Sequence, residues 1–71
     1  MPDDFVAVMR RVLDLDGENG DALWFVGLAE RELGHKEVAI ALWDKLIGRL
    51  PPNSPAFAEI KQQLDRLRSA N

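Results

Sequence analysis

Apolar residues recur along this chain every three or four positions. Phe5, Val8, Met9, Val12 and Leu13 form one such series, with Val6 and Leu15 widening it. Leu23, Val26, Gly27 and Leu33 form a second, and Ala39, Trp43, Leu46, Ile47 and Leu50 a third. Phe57, Ile60, Leu64 and Leu67 form the last. This spacing lines one side of a helix, whereas a half-buried strand alternates. The pattern predicts an all-α fold, an antiparallel array of four helices joined by short turns.

The breaks between the series agree. Pro2 or Asp3 opens the first helix, and Asp3 and Asp4 suit the positive end of its dipole. Asp14 and Asp16 oppose that dipole at the other end, so the helix should stop near Leu15, before the polar turn to Gly20. Asp21 is the candidate cap of the second helix. That helix is apolar nearly all round through Leu28, as expected of an element with neighbours on more than one side. Gly34 ends it, and the third helix should run from about Lys36 to Leu50, stopped by Pro51-Pro52. Ser54 is the expected cap of the fourth helix, with Pro55 in its first position and Ser69-Ala70-Asn71 fraying at its end. Gly27 lets a neighbouring helix approach closely, at about 1 kcal/mol of helix propensity.

Composition narrows the function. At 71 residues the chain is one domain, and it buries only about 60% of the surface its unfolded form exposes. With no cysteine and one histidine, it offers no disulfide, thiolate or multi-histidine metal site, and no cofactor is expected. A net charge of −3 and a pI of about 4.9 argue against nucleic acid. The longest apolar runs are far too short to cross a bilayer, so no membrane insertion is expected of this segment. The acidic start differs from a signal peptide and suits a cytosolic protein or a domain cut from something larger. The second of these fits the pattern, which starts partway through a repeat.

That repeat emerges on shifting the sequence by 34 residues. Leu23 then falls on Phe57, Val26 on Ile60, Met9 on Trp43, and Val12-Leu13 on Leu46-Ile47. Leu23-x2-Val26-Gly27-x2-Glu30, then Ala39-x3-Trp43, then Pro51 resembles the tetratricopeptide repeat (TPR), whose period is 34. The resemblance divides the chain into a second helix of a partial repeat (2–16), a complete repeat (20–53) and a capping helix (54–69). Glu30 departs from the aromatic of the pattern, so packing there should be looser, or Leu33 should fill the space. Ala22-Leu23-Trp24 with Gly27-Leu28-Ala29, Ala39-Ile40-Ala41 with Trp43, and Leu50-Pro51-Pro52-Asn53-Ser54 are similar to the TPR domain of bacterial c-type cytochrome biogenesis proteins. This narrower resemblance implies a periplasmic domain of a membrane-anchored protein that holds a helical segment of apocytochrome for haem attachment. Without it, a cytoplasmic location is expected.

In a TPR stack the first helix of each repeat lines the concave groove. Asp21, Trp24, Leu28 and Arg31, spaced three, four and three apart, share one face, and Phe25 borders it. The resemblance makes Trp24 and Leu28 the apolar anchors of a peptide, with Asp21 and Arg31 as a charged rim. Ala58, Gln62 and Asp65 would extend this groove on the last helix. The rival reading, that Trp24 and Phe25 merely pack on flanking helices, carries equal weight in a chain so short of core. Tryptophan and leucine in these positions argue against a clamp for a terminal carboxylate. Trp43 reads as core. His35 reads as a solvated turn residue, and Arg10, Arg11, Lys36 and Lys45 as solvated charges. Asp14, Asp16, Glu18 and Asn19 miss calcium-loop spacing, since Gly17 comes too early and Phe25 falls where the loop needs glutamate. No nucleophile, base and oxyanion site assemble, so no catalytic residue is expected. The expected function is therefore non-enzymatic peptide binding. The alternative is a general TPR scaffold or a self-association module, in which the exposed first and last helices bury a second copy, as Phe5 and Met9, lacking the first helix of their own repeat, suggest.

Overall fold

The computed structural model describes residues 2–69. Four helices follow one another: α1 (Asp3–Leu15), α2 (Gly20–Glu32), α3 (Lys36–Ile47) and α4 (Pro55–Ser69), with no strand among the described residues. The chain is all-α, and each helix packs on its neighbours in sequence, α1 on α2, α2 on α3, α3 on α4. The array measures 31 × 28 × 17 Å. α3 starts 33 residues after α1, and α4 35 after α2, close to the 34-residue shift of the side-chain pattern.

Local chemistry sets the turns. Gly34 has φ +83°, a conformation cheap for glycine alone. The amide of Gly34 donates to the Arg31 carbonyl, and that of His35 to the Glu30 carbonyl, which together close α2 in a Schellman motif. Ser54 caps α4 as expected: its hydroxyl accepts from the Phe57 amide at 3.1 Å and donates to the Pro51 carbonyl. α2 is capped two residues earlier than expected. Asn19, not Asp21, accepts from the Ala22 amide at 3.0 Å, and Asp21 lies inside the first turn. α3 stops at Ile47 rather than Leu50. Its last amides, Arg49 and Leu50, bond three residues back, because Pro51 biases Leu50 away from helical backbone and the chain tightens before it. Ser69 is still helical, its hydroxyl donating to the Asp65 carbonyl. The fraying expected at Ala70 and Asn71 lies outside the described residues.

The core is Leu23, Trp43, Leu46, Ile60 and Leu64, so α2, α3 and α4 each contribute. Its centre is the contact of Trp43 with Gly27. The indole is fully buried, and a Cβ at Gly27 would stand 2.1 Å from its Nε1. Gly27 is therefore the seat of Trp43, and α2 and α3 approach as closely as they do because it has no side chain. Leu33 does not join this face: it is 63% exposed, lying at the helix end where the chain turns out.

Candidate functional site

Trp24 is half-buried on α2 and stacks on Trp43, ring centroids 5.1 Å apart and planes 25° apart. Its carbonyl accepts the Trp43 indole N–H at 3.3 Å, so the buried donor is satisfied. The other side of Trp24 opens on a cleft of about 230 Å³ between α2 and α4, shared with Ala56, Glu59 and Ile60. Arg31, about two turns further along the same face, spans the same two helices. Its guanidinium carbon sits 5.7 Å from the centroid of Trp43, and its Nη1 donates to Gln63 Oε1 at 2.9 Å. Leu28 packs against the core beside them. Trp24 and Arg31 thus converge on Trp43, with Leu28 against the same core, while Asp21 is exposed at the start of α2.

The other two candidates lie elsewhere. Phe25 meets Phe5 of α1 edge to face, centroids 4.8 Å apart, and does not line the Trp24 cleft. Gln62 lies with Ala58 and Asp65 in an open depression on α4, about 600 Å³, that shares no residue with that cleft. The α4 side chain that reaches α2 is its neighbour Gln63. A one-residue step on a helix turns a side chain by 100°, and pattern alone leaves that step open.

A second constellation escaped the pattern. Glu30 is a buried acid, 7% exposed, held by Arg10 and His35. Arg10 Nη2 of α1 is 2.6 Å from its Oε1, and His35 Nδ1 is 2.6 Å from its Oε2. The hydrogen bond from His35, then that from Arg10, hold the Glu30 carboxyl below its usual range against the opposing effect of burial. Arg10 and His35 are therefore not merely solvated. Nor is packing at Glu30 loose or completed by Leu33: a hydrogen-bonded triad of Glu30, Arg10 and His35 fills the place of the expected aromatic. The signal was present, an acid on an otherwise apolar face, but its partners come from another helix and from a turn. Beside the triad, Val6, Ala7, Ala29 and Leu33 wall a cleft of about 510 Å³ between α1 and α2.

Among the described residues no helix is long and apolar enough to cross a membrane. No family model, curated protein or solved structure matches the chain.

Proposed function

We propose that this domain is a non-enzymatic module that binds a helical or extended segment of another protein, with Trp24 as its apolar anchor. The observation that supports the reading is the half-open indole beside a cleft walled by Ala56 and Ile60, with Glu59 at its margin. An amphipathic ligand suits such a cleft: an apolar side chain against the indole, and a basic group toward Glu59. Arg31, already paired with Gln63, holds the wall in place rather than reaching for the ligand. The TPR-like spacing supports a groove of this kind, and the resemblance to cytochrome biogenesis proteins makes a helical apocytochrome c segment in the periplasm the favoured occupant.

The test is a fluorescence titration of the tryptophans with a synthetic apocytochrome C-terminal helix, with a scrambled peptide as control. Saturable binding is expected, lost in Ala56→Glu, which fills the cleft from an exposed position without touching the core. Trp24→Ala should also lose binding while far-UV circular dichroism stays helical. Affinity unchanged in both variants sinks the assignment of the cleft.

A further inference from the structure

α1 is amphipathic, yet it buries none of its residues. Phe5, Val8 and Leu15 are 37%, 56% and 76% exposed. The internal repetition shows what such a face is built for. The 34-residue shift lays Phe5, Met9 and Val12 on Ala39, Trp43 and Leu46, and these three are buried where α3 packs beneath α2. α1 therefore presents the kind of surface that α3 hides; α2 covers part of it, through the contact of Phe25 with Phe5, and leaves the flank of Val8 and Leu15 exposed.

The charges bordering that face indicate the occupant. Asp4, Val8, Arg11 and Leu15 follow at intervals of four, three and four, so they form one exposed stripe. Neither Asp4 nor Arg11 enters an ion pair among the described residues. We propose that a second copy of the chain covers α1, the two helices antiparallel about a twofold axis beside Val8. That axis brings Val8 against its own copy. It sets the partner's Arg11 level with Phe5, one helical rise of about 1.5 Å from Asp4 and on the same flank. Each copy thus contributes one acid and one base to two equivalent pairs. A parallel arrangement would oppose Asp4 to Asp4 and is rejected by charge. α4 does not compete for the role, since its outward residues Lys61, Gln62, Asp65 and Arg66 are exposed and polar. The face is one helix wide, so the dimer exchanges with monomer. Trp24 and its cleft contribute nothing to it, and the proposal stands apart from peptide binding.

Sedimentation equilibrium from about 1 µM to 1 mM at low salt tests it. A reversible dimer is expected. Asp4→Arg or Arg11→Asp alone should weaken it by on the order of tenfold, because each creates two like-charged contacts. Both substitutions in one chain should restore it, and an equimolar mixture of the two single variants should associate. Should a single variant fail to fold, the wild type still decides: its association must weaken as salt screens the pairs. A strict monomer overturns the proposal, as do indifference to the single swaps, failure of the double swap to restore, or a dimer strengthened by salt.

Discussion

Gly27 and Gly34 show that one residue type serves two physical ends. Gly34 supplies a backbone angle; no atom lies within 4 Å of a Cβ placed there. Gly27 supplies space, and its substitution meets a buried indole with nowhere to move. We expect Gly27→Ala to destabilise the fold by about 3 kcal/mol or more, since overpacking of this depth must displace Trp43. Gly34→Ala should cost about 1–2 kcal/mol from backbone strain alone. Gly20→Ala, whose Cβ would make ordinary contact with Leu46 at 3.6 Å, should be the mildest of the three. Urea unfolding of the three variants checks the order. At the same scale, Asn19→Ala should lose about 1 kcal/mol as a cap, and Asp21→Ala less.

At the scale of the element, α1 is attached by few means. Phe5 meets Phe25, Arg10 meets the buried Glu30, and Leu13 packs at the edge of the core. Because the folded carboxyl of Glu30 titrates below its unfolded value, the triad stabilises the molecule fully above the unfolded glutamate range. That stability is lost as pH falls through the lowered folded value. We expect the urea midpoint of the wild type to decline below about pH 4.5, and Glu30→Gln to be less stable at neutral pH but less sensitive to acid over this window. Equal acid sensitivity in both proteins would show that other carboxylates govern the response. A buried acid on a helix pattern that otherwise calls for an aromatic was legible as an anomaly. That Arg10 and His35 answer it was not, because only the docking of α1 and the turn after Gly34 bring them within reach.

At the scale of the molecule, each helix leans on its sequence neighbours, so stability should be graded along the array. α2 and α3 share the Gly27–Trp43 contact, and α4 is tied to α3 by Ile60, Leu64 and the pair in which Arg68 Nη2 donates to both carboxylate oxygens of Asp44. Amide hydrogen exchange should therefore be fastest in α1 and slowest in α2 and α3. Protection in α1 equal to that of α2 at low concentration would contradict this order. The pair of Arg68 with Asp44 is half-exposed, and Arg68→Ala should cost no more than about 1 kcal/mol.

The chain's own order of residues determined what is local: four helices from three- and four-residue spacing, the stop at Gly34, the start at Ser54, and Trp43 as core. These features depend on neighbours a few positions away, so they are written in the linear pattern. Which nearby polar residue capped α2, how far α3 ran before Pro51, and which glutamine of α4 faced α2 turned on single-residue steps that the pattern does not resolve. The stacking of Trp24 on Trp43, the triad around Glu30 and the parting of Phe25 from the Trp24 cleft were decided only by tertiary structure. Each depends on the rotation and approach of one helix against another, and that approach is governed by shape at Gly27 and by charge at Glu30, not by periodicity.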